Sequence, residues 1–215
     1  MRVIAVLNQK GGSGKTTIAT NLGRAFQISG HSTLLVDSDP QGSARDWGAA
    51  RADNPLLPVG LDRAGLLERD LKGITNKEIV VIDGAPQVRE LATAAIKIAN
   101  LILIPVQPSP YDVWATSDLV ELVKGRMEIT DGKVQAAFVV SRAIEGTRIG
   151  KEVSAALADY GLPILDSKIT QRVIFATSAA EGLSVMDADP NGKAAGEIMA
   201  LQKEVMDILN GDKLI

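Results

Sequence analysis

Five stretches of this chain carry apolar residues almost without interruption, Arg2–Leu7, Ser32–Val36, Ile79–Ile82, Leu101–Ile104 and Val134–Val140, and Ile164–Ile169, apolar at its two ends, reads as a sixth strand. Short, continuous apolar runs rich in β-branched residues are what a strand buried on both faces requires. Between them the apolar positions fall at helical spacing. Ile18, Leu22, Ala25 and Phe26 make one face, closed by Ser29-Gly30. Val88, Leu91, Ala95 and Ile98 make a second, and Leu119, Leu122 and Val123 a third. Ile149, Val153, Ala156, Leu157 and Tyr160 follow, and Lys193–Leu209 turns Ile198, Leu201, Val205 and Ile208 inward. Such alternation predicts an α/β fold, a mostly parallel sheet with helices on both faces. No repeat, low-complexity stretch or shift in composition divides it, so residues 1–215 read as a single domain. Asp53–Asp70 is the least legible part, expected to hold a loop, an edge element and a short helix.

Composition narrows the chemistry. The chain has 215 residues, 46% hydrophobic, and no cysteine, which excludes disulfides, thiolate metal sites and iron–sulfur ligation. The lone His31 follows Gly30 in a turn and makes a poor metal ligand. A net charge of -3 excludes a surface coated in positive charge but leaves room for a local basic patch. The first strand starts at Arg2 without a leader-like segment, and no apolar run reaches membrane-spanning length. A cytoplasmic protein without membrane partners is the expectation.

The candidate chemistry begins at KGGSGKTT, residues 10 to 17, between the first strand and the first helix. A glycine-rich turn there exposes backbone N–H groups to an anion, and the helix N-terminus adds its dipole. Gly11, Gly12, Ser13 and Gly14 form the cradle of a P-loop NTPase-like site. Lys15 is placed to reach the β and γ phosphates of a nucleotide, Thr16 to ligate Mg²⁺ and Thr17 to donate to the α phosphate. The usual pattern asks for glycine at position 9, where this chain has Gln9 followed by an extra lysine, Lys10. Asp37 and Asp39 follow the second strand in DSDPQ, and Asp83 follows the third in IVVIDGAP. Ligands gather at the carboxyl ends of parallel strands, so these carboxylates belong near the loop. Asp83 has the setting of a Walker B residue, holding Mg²⁺ directly or through its water. Asp39 is placed to orient or deprotonate an attacking water. Thr16, Asp39 and Asp83 are the candidate Mg²⁺ set, and Asp37 reads equally well as a turn or helix cap. Gly84 is expected to give the segment after Asp83 freedom and to offer its N–H to the γ phosphate. Pro40 and Pro86 stiffen the chain beyond each acidic strand end, as in a pair of nucleotide-sensing switches.

KGGSGKTT, DSDPQ and IVVIDGAP together, with ITQR near the end, resemble the ParA family of partition ATPases, within its deviant Walker A group. The similarity runs over essentially the whole chain and matches the short form without an N-terminal DNA-binding domain. QPSPYD, 107 to 112, resembles the proline-rich segment of the short plasmid partition ATPases. The resemblance implies ATP and Mg²⁺ as ligands and an ATP-dependent homodimer. It implies that Lys10 is the signature lysine, crossing the dimer interface to the partner's nucleotide. Two facing ATP molecules carry much negative charge, and a dimer closing over them needs added cations. Lys10, Lys15 and Asp39 are then the catalytic candidates. Pro105–Pro110 reads as a loop after the fourth strand that walls the adenine, with Pro108, Ser141 and Arg142 as candidate base contacts.

The resemblance also implies a slow ATPase stimulated by a small centromere-binding, ParB-type partner, and nonspecific binding of double-stranded DNA by the ATP dimer. That would place the protein on the nucleoid. Arg142, Arg148, Lys151, Lys168 and Arg172 are the basic candidates, with Arg172 first, then Arg148 and Lys151. Two alternatives compete. A membrane-recruited regulator of the cell-division type needs a basic amphipathic C-terminal helix, whereas Met199–Leu209 carries Lys203, Glu204 and Asp207 on its polar side and is expected to pack on the sheet. A nucleotide-gated scaffold would bind ATP with negligible hydrolysis.

Overall fold

The computed structural model describes residues 1–86, 88–144 and 149–211, with the backbone alone for 149–152. Its strands are β1 (Arg2–Val6), β2 (Thr33–Asp37), β3 (Val59–Gly60), β4 (Ile79–Asp83), β5 (Leu101–Val106), β6 (Gln135–Ala143) and β7 (Ile169–Thr170). They form one sheet in the order β3-β2-β4-β1-β5-β6-β7, with all pairings parallel. The helices are α1 (Lys15–Ile28), α2 (Ser43–Ala49), α3 (Ala64–Lys72), α4 (Arg89–Ile98), α5 (Pro110–Trp114), α6 (Ser117–Ile129), α7 (Ile149–Ala158), α8 (Val173–Ala180), α9 (Val185–Ala188) and α10 (Lys193–Asn210).

The continuous apolar runs explain the two cores. Successive side chains of a strand point to opposite faces, so an uninterrupted run supplies both. Ile4, Val6, Ile79, Val81, Leu101, Leu103, Ala137 and Val139 face one way, onto Ile18, Leu22 and Phe26 of α1 and Ile198, Leu201, Val205 and Ile208 of α10. Val3, Ala5, Val80, Ile82, Ile102, Ile104, Ala136 and Phe138 face the other, onto α3, α4, α6 and α7. The apolar stripe of α10 is therefore spent on the sheet. Among the described residues no helix is long and apolar enough to cross a membrane.

Three expectations need correction. The run 164–169 is not one strand. Leu165 N–H donates to Phe138 O at 2.9 Å, but the amides of Asp166 and Ser167 then turn to the Glu204 carboxylate at 2.8 and 3.0 Å, and pairing resumes only at Ile169. A side chain of α10 thus replaces the ladder in mid-run. Pro105 is not in a loop after β5 but inside the strand, opposite Val139. Its missing N–H falls where β1 has already turned away, and its carbonyl accepts from Asn8 Nδ2 at 2.6 Å. Pro110 opens α5 instead of disfavouring helix, as its fixed φ allows at the first helical position. Residues 53–70 hold the expected loop, the two-residue edge β3 and the first part of α3.

Candidate functional site

β1 lies between β4 and β5, and the chain leaves β1 toward β2 on one side but leaves β4 toward β5 on the other. The carboxyl end of β1 is thus a topological switch point, where an open parallel sheet forms its binding crevice. Residues 8–14 fill that end. Gly12 and Gly14 take left-handed φ values of 76° and 95°, which glycine adopts without strain. Gly14 is also the N-cap of α1. No side chain caps that helix and its first turn holds no acid, so its amides remain available to an anion.

Three side chains hold the loop from outside. Asn8 is buried, accepts from Lys10 N–H at 2.8 Å and donates to Pro105. Gln107 Nε2 donates to Gly12 O at 2.7 Å. Ser141 Oγ donates to Ser13 O at 2.6 Å. Ser141, expected to touch the base, is buried beneath the loop with its hydroxyl committed there. Asn8 and Gln107 carried no sequence signal of this role, because the bonds from Asn8 to Pro105 and from Gln107 to Gly12 join positions far apart in the chain.

The acidic strand ends converge as expected. Asp37 and Asp83 are register partners on β2 and β4, and Val6 of β1 is the partner of Asp83 on the other side. Asp37 proves to be a cap. Fully buried, it accepts from the amides of Asp39 at 3.0 Å and Arg45 at 2.9 Å, with the Arg45 guanidinium at 3.5 Å. Asp39 is only half-buried, and its carboxylate takes one local amide, that of Gln41 at 3.0 Å. Asp83 is different. It is 1% exposed, and neither carboxylate oxygen accepts a hydrogen bond of good geometry. Burial pushes its carboxyl up to about 7, and Asp37 and Asp39 push the same way against the Thr16 hydroxyl and Lys15. Lys15, also buried, is lowered by desolvation and raised again by Asp83 and Asp39. Its ammonium donates to Lys10 O at 3.0 Å.

Gly84 corrects a further expectation. Its N–H donates to Val6 O at 3.1 Å and is not free for a phosphate. Glycine is needed there for space. A Cβ would collide with Leu7 Cδ2 and lie 2.7 Å from Val6 O. Ser38 was missed by sequence. Its N–H and hydroxyl both donate to Asp83 O, at 3.0 and 2.8 Å, tying the two acidic segments together.

Lys10 does not extend freely from the loop. Its ammonium pairs with Asp112 Oδ2 at 2.6 Å. Pro108 is half-buried in the segment that bonds to Gly12. Arg142, exposed at φ 50°, lines a cleft of about 940 Å³ together with Gly14, Thr17, Gln171, Val173 and Phe175. Pro108 and Ser141 are not among its lining residues. Arg172 also borders this cleft, and its guanidinium meets Glu197 at 2.7 Å. Arg148 lies outside the described residues, as does the side chain of Lys151.

A chain with a glycine-rich anion cradle, a buried lysine and a buried carboxylate without a hydrogen bond of good geometry is built for a phosphorylated ligand and a cation. Comparison with known proteins agrees. The model of the CobQ/CobB/MinD/ParA nucleotide binding domain matches residues 4–185. The maintenance of carboxysome distribution protein A of Halothiobacillus neapolitanus is 32% identical over 208 residues, covering 94% of this chain and 95% of that protein. The chromosome-partitioning ATPase Soj of Thermus thermophilus is 26% identical over 238 residues, covering 96% of each. The cobyrinic acid a,c-diamide synthase of Mycobacterium smegmatis, solved with a bound ATP analog and magnesium, shares the fold at a TM-score of 0.79 and 22% identity, over 100% of this chain and 98% of that one. The chain belongs to the CobQ/CobB/MinD/ParA nucleotide-binding family, and within it is a ParA/MinD-type ATPase.

Proposed function

We propose that this chain is an ATP hydrolase that closes as a dimer over ATP and Mg²⁺ and uses the cycle to position a large cargo, with residues 1–215 acting as one ATPase domain. The observation that carries the reading is Asp83, a buried carboxylate at the end of β4 with neither oxygen in a hydrogen bond of good geometry, beside Lys15 and the free amides of α1. Such a group is costly alone and satisfied by a divalent cation. Thr16 and Asp83 would hold Mg²⁺, with Asp39 near it. When bound, the ion neutralises charge on the β and γ phosphate oxygens. The loop amides and Lys15 grip the phosphates. Asp39, the least committed of the three acids, orients or polarises the attacking water.

Lys10 supplies the cation that two facing nucleotides require, so ATP closes the dimer and hydrolysis releases it. Turnover is slow until a small partner protein completes the site. The dimer binds duplex DNA without sequence preference through Arg172 and Arg142, which border one cleft, and the exposed Lys168. Arg172 must then exchange Glu197 for a phosphate. The protein works in the cytoplasm on the nucleoid. The relative at 32% identity is named for carboxysome distribution and the one at 26% for chromosome partitioning, which favours a protein assembly as cargo over a plasmid or chromosome.

The test is mass by light scattering with Mg²⁺ and a nonhydrolysable ATP analogue, followed by phosphate release and by co-sedimentation with DNA. A dimer that forms with the analogue and not with ADP, and turns over ATP, supports the reading. A monomer under all conditions removes it. Dimerisation without phosphate release would leave the nucleotide-gated scaffold.

A further inference from the structure

The motif that resists a simple account is the extra lysine. A phosphate loop needs Lys15, and Lys10 stands outside that requirement. In the chain alone the Lys10 ammonium lies 2.6 Å from Asp112 Oδ2, bridging from the loop to α5, and its side chain is 38% exposed. Asp112 is 3% exposed, and its other oxygen, Oδ1, is buried without a hydrogen-bond partner. The seat is rigid. Val113, next in the chain, is buried, and its carbonyl accepts from Tyr160 Oη at 3.2 Å and Thr116 Oγ1 at 2.6 Å.

The two partners differ in what separation means for them. The lysine is partly solvated already and has a long flexible stem. It can leave for water or for a phosphate. The aspartate cannot follow, and once deserted it is a buried charge without a counterion, which is strongly unfavourable. The pair therefore resists opening by an amount set mainly by Asp112. A phosphate group draws the lysine away only if it offers more charge than the carboxylate does.

We propose that Asp112 is the resting seat of the Lys10 ammonium and acts as a positioning residue. It holds the lysine against its own subunit until an opposed nucleotide carries enough charge to take it, and so makes dimerisation selective for ATP over ADP. ADP lacks the γ phosphate and so presents less charge to Lys10. The inference rests on the proposed reading in which Lys10 crosses a dimer interface.

The experiment follows dimerisation of the full chain by light scattering, with Mg²⁺ and either a nonhydrolysable ATP analogue or ADP. It compares wild type, Asp112→Asn, Lys10→Ala and the double variant. Two seats open per dimer, so Asp112→Asn should lower the analogue midpoint by about tenfold or more, and a dimer should appear with ADP. Lys10→Ala should dimerise poorly, and the double variant should match it, since a freed seat is irrelevant without the lysine. That masking is a readout that a merely structural role for Asp112 would not produce. Asp112→Ser, with a smaller polar side chain, is measured alongside, with melting curves, so that a folding defect in one variant is recognised. Asp112 variants that dimerise at the wild-type midpoint or above, while Lys10→Ala fails, would overturn the seat and leave the dimer reading standing. Lys10→Ala that dimerises like wild type would remove the cross-interface lysine itself.

Discussion

Asp83 gives the site a stability signature that needs no substrate to read. In the folded chain its carboxyl rises from the usual 3.8 to about 7, first because burial removes it from water. The sign follows from proton counting. Between these values the native state holds the proton and the unfolded chain does not, so stability falls as pH rises. Across the whole shift the loss is about 4 kcal/mol, of which about 2–3 kcal/mol falls between about pH 5 and about pH 8. Asp83→Asn keeps the shape and removes the titration. Its amide also lacks partners, so near pH 5 the variant should be no more stable than wild type. Toward pH 8 it should gain on wild type steadily. The assay is urea unfolding of both proteins across that range, with chelator present and nucleotide absent. The stability difference between them cancels every group they share. A difference independent of pH would mean that Asp83 is ionised at ordinary cost in the free protein, and the argument for a cation-seeking carboxylate would fail with it.

Gly84→Ala should destabilise the chain by about 1–3 kcal/mol, because the new methyl meets Leu7 and Val6 O, and a melting curve equal to wild type would refute the packing account. Asp39→Ala should preserve nucleotide binding and dimerisation while phosphate release falls by about 10²-fold or more. A turnover near wild type would place water activation elsewhere. Arg172→Ala should weaken binding to any duplex by a similar factor and flatten the salt slope by about one unit per subunit. If only the melting temperature falls, the Arg172–Glu197 pair is structural and the DNA surface lies elsewhere.

Much of this molecule is legible one residue at a time. Apolar runs that fill both sides of a strand, and apolar positions at helical spacing, are local patterns with one favourable outcome. They placed the parallel sheet, the packing of α10 and the loop between β1 and α1. The loop glycines and the acids at 37, 39 and 83 were equally readable, because a strand end in a parallel sheet has a known location. What the chain withheld depends on partners distant in sequence. Asp37 and Asp83 look alike as strand-final acids, yet Asp37 receives two amides and the Arg45 guanidinium, while Asp83 receives none. Glu204 ends a strand that its own sequence would continue, by offering the Asp166 and Ser167 amides a better acceptor than the neighbouring ladder. Pro105 survives inside β5 because β1 has already left the position its N–H would have filled. Lys10 reads as a free cation until α5 brings Asp112, 102 positions further along, against it. Local propensity sets which elements form, but desolvation and hydrogen bonding act between groups that only the folded chain brings together, and they decide which charges are caps, which are pairs and which are left waiting for a ligand.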